Sequence, residues 1–135
     1  MAVPPDALPP AALTFLADRH IATLSTLRPD GTPHVVPVGF SWDAESGLAR
    51  VISSRSSRKV RNARGGGPAV LCQVDGRRWL ALEGPVSVDE DAAAVTEAER
   101  RYAERYRVPR PNPQRVVLIV AVERVLGDST VLTGG

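Results

Sequence analysis

The chain has 135 residues, of which 43% are apolar and 24% charged, a mixture that suits one compact domain burying roughly two thirds of its unfolded surface. Only 4% are aromatic, so the core must be built from Val, Leu, Ile and Ala, which favours β-sheet. A net charge of +2, from 17 basic and 15 acidic residues, is too small to make nucleic acid the natural partner; no apolar run reaches the length of a membrane helix, and a lone Cys72 excludes both an internal disulfide and a cysteine-rich zinc site.

Residues 1–9 are proline-rich and read as an extended lead-in, without the basic-then-apolar order of a signal peptide. A short helix follows over 10–19, with Leu13, Phe15 and Leu16 at roughly helical spacing. Strands over 20–27 and 34–42 flank Arg28-Pro29-Asp30-Gly31, which has Pro where a turn wants a fixed φ and Gly where it wants freedom. A loop over 43–47 leads to a third strand, 48–54, and then to a helix that begins near Ser56 and stops at Gly65-Gly66-Gly67-Pro68. Strands over 69–74 and 79–88 join through Asp75-Gly76, a tight-hairpin dipeptide. Residues 89–106 carry Val95, Ala98, Tyr102 and Tyr106 at three- and four-residue steps, an amphipathic helix whose stripe needs a sheet to cover. Pro109 to Pro113 break it, and 115–126 is a last strand apolar on both faces. Six mostly antiparallel strands with short inserted helices predict a mainly β fold, a small barrel in one domain over 10–127, with 128–135 as a C-terminal tail.

The only lysine, Lys59, lies in Ser56-Ser57-Arg58-Lys59-Val60-Arg61-Asn62, directly after a strand; every other basic residue is arginine. Hydroxyls, two planar guanidinium groups and one compact ammonium converge there, a donor set for a phosphate. The bland alternative is a solvated basic helix start. Dinucleotide, Walker, zinc-protease and paired-cysteine motifs are all missing from the sequence. His20 and His34 fall at strand starts and read as strand ends, not metal ligands; no metal is expected. Glu83 reads as solvated or salt-bridged, and Cys72 as a small core residue in a reducing, cytoplasmic compartment. No catalytic side chain stands out. A phosphate-shaped cluster without nucleophile, base or metal is what a chain carries when a bound cofactor performs the chemistry.

The proline-punctuated strand His34-Val35-Val36-Pro37-Val38-Gly39-Phe40, a further strand, and then Ser57-Arg58-Lys59-x-x-Asn62 resemble the split-barrel flavin and deazaflavin oxidoreductases related to pyridoxamine phosphate oxidase. Arg78-Trp79-Leu80, Arg101-Tyr102-Ala103 and the stretch from Arg105 through Pro113 to Val117 look more specifically like the branch that uses coenzyme F-420, the biliverdin reductases of mycobacteria. That resemblance implies a six-stranded antiparallel split barrel, a homodimer with cofactor sites at the interface, and coenzyme F-420, with FMN as the alternative. It implies that Ser53, Arg55, Ser57, Arg58, Lys59 and Asn62 hold the phosphate, that Val36, Pro37 and Val38 offer main-chain groups to the ring, and that Trp79 approaches from the partner subunit. Arg77, Arg78, Arg107, Arg110 and Arg115 are candidates for the propionates of a tetrapyrrole. The implied reaction is hydride transfer from reduced F-420 to biliverdin; a quinone or enone substrate, or a non-catalytic flavin, deazaflavin or tetrapyrrole carrier, are the alternatives. The chain ends at Gly134-Gly135 without the basic extension that closes over pyridoxal phosphate, so vitamin B6 oxidation is not expected.

Overall fold

The computed structural model describes residues 1–133. In chain order it contains β1 (Ala2–Val3), a single 3-10 turn (Pro5–Ala7), α1 (Pro10–Ala17), β2 (Ala22–Leu27), β3 (Pro33–Val38), β4 (Ser41–Asp43), β5 (Leu48–Ser54) and α2 (Arg58–Arg64). There follow β6 (Pro68–Asp75), β7 (Arg78–Asp89), α3 (Ala92–Arg105), β8 (Arg115–Ala121), β9 (Arg124–Gly127) and α4 (Ser129–Thr133). Among the described residues no helix is long and apolar enough to cross a membrane.

All strand pairs are antiparallel, in the order β3-β2-β6-β7-β8-β5-β4, with β9 on β7 and β1 on β9. The sheet has nine strands, not the six expected, because two expected strands each break once and β1 adds a short edge. The second strand breaks at Gly39-Phe40 into β3 and β4. The last breaks at Val122-Glu123, where the Val122 N–H donates to Gly47 O and the Glu123 N–H to Glu83 O, so the backbone leaves β5's neighbourhood for β7. β7 is shared along its length: Leu80–Glu83 pair with β9 and Val86–Asp89 with β8. Gly84 sits at the changeover, where an added Cβ would lie 1.9 Å from the Ala121 carbonyl oxygen, so the crossing has room for glycine alone.

β3 and β4 are consecutive in the chain yet lie at opposite ends of the strand order. The sheet therefore curls back on itself without hydrogen-bonded closure, and β3 keeps one main-chain edge unpaired. Leu24, Leu71, Leu80, Leu82, Val116, Leu118 and Val120 fill the interior. α1 adds Ala12, Phe15 and Leu16; α2 adds Val60 and Ala63. Residues 129–133, expected as part of a tail, instead form α4 and bury Val131 and Leu132, each such burial worth about 1.5–3 kcal/mol. A five-residue helix is too short to leave a periodic signal in the sequence.

α3 crosses β4, β5 and β8, tied down by Arg115 to Glu99 at 2.6 Å and by Asp43, which receives Arg50 at 3.1 Å and Arg101 at 3.3 Å. Val117, opposite the interior face of β8, is buried as well, which accounts for a strand apolar on both sides. The outward face of β3, β2, β6 and β7 is different. Val35, Ser25, Val70 and Glu83 follow one another across its strand registers, as do Thr23, Cys72 and Ala81 beside them, and Leu27, Val35 and Val74 on it are exposed.

Candidate functional site

A concavity of about 380 Å³ lies where the end of β3, the end of β5, Lys59 and the connection between α3 and β8 meet. Of the residues expected from sequence, Pro37, Val38, Ser53, Lys59, Arg107, Arg110 and Arg115 line it. Gly39, Ile52, Ser54, Tyr102, Pro109 and Asn112 complete the lining.

Local hydrogen bonds set this wall. Asn112 Nδ2 donates to Ser54 Oγ at 2.9 Å, and the Arg55 N–H donates to Gln114 O at 2.8 Å, so the proline-rich connection is fastened to β5. Ser53 Oγ and Ser57 Oγ are 3.0 Å apart, and Ser57 Oγ also accepts from the Val60 N–H, capping α2. On the opposite side the backbone at Gly39 lies against two tyrosines whose ring centroids are 4.8 Å apart; a Cβ at Gly39 would meet Tyr102 Cε2 at 3.0 Å and Tyr106 Cε2 at 3.1 Å. Tyr106 OH donates to His20 O at 2.6 Å and accepts from the Phe40 N–H at 3.2 Å, while Arg105 donates to Asp18 O, Phe40 O and Gln73 Oε1. Burial lowers the pKa of Arg105 and raises that of Tyr106, so both act as fixed hydrogen-bonding groups.

The electrostatics of the concavity are one-sided. No Asp or Glu lines it. Arg115 is neutralised by Glu99, but Lys59, Arg107 and Arg110 have no carboxylate partner among the described residues. Burial pushes the Lys59 ammonium below its ordinary pKa of 10.5, and no ion pair offsets that cost. A bound anion would. A wider hollow of about 480 Å³, at Pro68, Glu83, Gly84, Pro85, Glu123 and Arg124, lacks this character, because its one cation, Arg124, pairs with Glu83 at 2.7 Å.

The remaining expected residues are dispersed. Arg55 is exposed and bound to Glu90 at 2.8 Å; its hydrogen bond, followed by that of Arg64, holds the Glu90 carboxyl below the usual range. Arg58 is exposed outside the lining. Asn62 turns inward, 4% exposed, and donates from Nδ2 to Thr26 Oγ1 at 3.2 Å. Val36 packs on the core, and Trp79 belongs to the outward sheet face, opposite Val74. Arg77 and Arg78 stand at the turn between β6 and β7, where Arg78 pairs with Asp75 and lies over the Phe15 ring at 4.6 Å. His34 is kept below its ordinary pKa first by burial and then by the charges of Arg28, Arg58 and Lys59. Half-buried Cys72 has its thiol pKa raised by burial. In sequence Tyr102 was legible as part of a helical stripe and of the Arg101-Tyr102-Ala103 resemblance, without a site role, and nothing in the pattern signalled that Gly39 would abut it.

The lining contains no cysteine, histidine or carboxylate that could act as nucleophile or base. What it offers is a cationic wall, hydroxyls and a free strand edge. Residues 8–127 match the family model described as pyridoxamine 5'-phosphate oxidase. The chain belongs to the pyridoxamine 5'-phosphate oxidase family. Among relatives of this family, it is 57% identical over 121 residues to an F420H(2)-dependent biliverdin reductase of Mycobacterium tuberculosis, covering 90% of this chain and 88% of that protein. Solved structures with the same oxidase-like fold include a conserved hypothetical protein of Mycobacterium tuberculosis, with a TM-score of 0.77 at 21% identity over 95% of this chain and 89% of that one. An F420 reductase superposes with a TM-score of 0.69 at 25% identity, over 88% of this chain and 98% of the other. A pyridoxamine 5'-phosphate oxidase-like protein of Listeria innocua gives 0.69 at 18% identity, over 85% and 93% of the two chains. These neighbours share the mainly β, split-barrel architecture.

Proposed function

We propose that this protein uses reduced coenzyme F-420 to reduce biliverdin to bilirubin. The observation that carries the reading is 57% identity, across 90% of the chain, to a protein named for that activity. The site is consistent with it: Lys59, Arg107 and Arg110, without a carboxylate partner among the described residues, suit a phosphorylated cofactor and a dicarboxylate substrate.

When bound, the reduced deazaflavin supplies a hydride, which in this reading goes to the central methine carbon of biliverdin. The chain's own residues bind and orient. Lys59 and the Ser53 hydroxyl hold the phosphate; Ser57 positions Ser53, while Arg55, Arg58 and Asn62 act at longer range through charge or through the packing of α2. At the free edge of β3, Pro37, lacking an N–H, offers the ring its carbonyl alone, and Val36 and Val38 flank it. The lining holds no carboxylic acid or histidine, and in this reading the proton that accompanies the hydride comes from solvent and ends on a pyrrole nitrogen.

A homodimer belongs to this reading. The outward face of β3, β2, β6 and β7 exposes Leu27, Val35 and Val74 in one continuous sheet, and a second copy of the chain would cover it, bringing the partner's Trp79 toward the cofactor. A cytoplasmic location is also part of it, supported by the free Cys72. FMN is the second cofactor reading, since Lys59 and Ser53 would suit its phosphate equally.

The test is titration of the purified protein with F-420 and, separately, with FMN, followed by anaerobic mixing of the reduced F-420 complex with biliverdin while both chromophores are followed. Oxidation of F-420 matched by bilirubin formation is expected. Preference for FMN, or F-420 binding without turnover of biliverdin, quinones or enones, would transfer the function to a flavin enzyme or a carrier.

A further inference from the structure

Beside the cofactor concavity lies a second hollow of about 400 Å³, lined by Arg19, His20, Ile21, Tyr102, Tyr106 and Arg107. Tyr102 and Arg107 border both, so whatever occupies one abuts the other. This hollow too has no acidic lining residue. Among the described residues neither Arg19 nor Arg107 makes an ion pair, and the nearby Asp18 pairs with neither. Its walls are otherwise apolar or aromatic: Ile21 is 60% exposed, and Tyr102 stacks on a Tyr106 whose hydroxyl is held by His20 O and Phe40.

We propose that this second hollow is a substrate subsite in which Arg19 and Arg107 take a propionate carboxylate while Ile21 and Tyr102 receive the attached pyrrole ring. The proposal rests on the reductase reading above and deepens it. Two planar guanidinium groups without partners match a carboxylate's paired oxygens, and an exposed aliphatic residue beside an aromatic one matches the flat, apolar body of a pyrrole. Arg107, standing between the hollows, sets the substrate against the cofactor. Arg110 and Lys59, which line the first concavity and not the second, remain with the cofactor. Arg19, expected at the end of the first helix, lies instead in the connection 18–21 between α1 and β2.

The experiment measures equilibrium binding of biliverdin, and separately of its dimethyl ester, to the protein with oxidised F-420 bound, by the shift of the tetrapyrrole absorbance. Wild type is compared with R19A and with R100A, the latter removing an exposed arginine on α3 that pairs with Glu97 and Glu104 outside both hollows. R19A is expected to weaken biliverdin binding about 10-fold, the scale of one partly solvated charge-assisted contact. It should leave ester and F-420 affinities unchanged, and R100A should behave as wild type. Equal weakening by R19A and R100A, an equal loss for the ester, or an unchanged R19A would overturn the subsite. If the wild type binds no biliverdin at all, the reductase reading itself fails, and the subsite with it.

Discussion

Replacing Lys59 with methionine separates the binding role of this residue from any role in folding. Methionine keeps the length and most of the apolar stem and removes only the ammonium. In the folded chain that ammonium is half-buried, faces a concavity without carboxylates and has its pKa lowered by burial. The sign follows: a lysine whose folded pKa lies below 10.5 disfavours the folded state while it is charged, so at neutral pH its removal should leave stability unchanged or raised. A phosphate contact, by contrast, is charge-assisted and worth about 1.5–3 kcal/mol, so K59M should weaken F-420 binding by about 10- to 150-fold. The assay is fluorescence titration with F-420 and with the deazaflavin riboside that lacks the phosphate, alongside thermal denaturation of the free protein. Intact F-420 should lose affinity, the riboside should not, and the melting temperature should not fall. An equal loss for both ligands, or an unchanged F-420 affinity, would refute the assignment of Lys59 to the phosphate. The exposed Arg58 should give less than about 1 kcal/mol under the same treatment.

Two further outcomes are expected. Asp43 is 8% exposed; burial works against its ionisation, but hydrogen bonds from Ser46 and Arg50, aided by the charge of Arg101, hold its pKa at about 2 against an ordinary 3.8. At about 1.4 kcal/mol per pKa unit this carboxylate contributes about 2 kcal/mol, present above pH 4 and lost as pH falls through about 2. Urea denaturation between pH 2 and pH 5 should show that loss in wild type and not in Asp43→Asn, which should instead be destabilised at neutral pH. Val35→Asp puts a charge on the exposed outward face of β3 without disturbing the interior. Sedimentation should show a dimer turning to monomer, with F-420 affinity falling alongside; a dimer of unchanged strength would remove this face from the interface.

Where the signal was local, the chain could be read directly. The turn at Arg28 to Gly31 closes with the Arg28 N–H on Thr32 O and the Gly31 N–H on Arg28 O, as its Pro and Gly required. The stop at Gly65 to Pro68 ends α2, and the Val95, Ala98 and Tyr102 stripe became α3 over the sheet. The hairpin at Asp75-Gly76 formed one residue later than its dipeptide implied, with Gly76 and Arg77 as the turn, because the pairing of Asp75 with Arg78 sets the register. Strand breaks were not legible, since Gly39-Phe40 and Val122-Glu123 are interrupted by contacts with Tyr102, Tyr106, Gly47 and Glu83, all distant in sequence.

The same division runs through the candidate site. Residue chemistry and short-range order determined that this would be a mainly β chain, that a basic hydroxylated segment would follow the strand ending at Ser54, and that the region from Arg107 to Arg115 would carry unusual cationic character. Only the tertiary structure decided which of those cations stay unpaired. Arg55 and Arg115 are taken by Glu90 and Glu99, Asn62 is turned into the core by Thr26, and Lys59, Arg107 and Arg110 are left facing a shared hollow to which the loop after α1 adds Arg19. The physical reason is that helix and strand preference depend on neighbours a few residues away, whereas the free energy of a charge depends on what burial and folding bring beside it from anywhere in the chain.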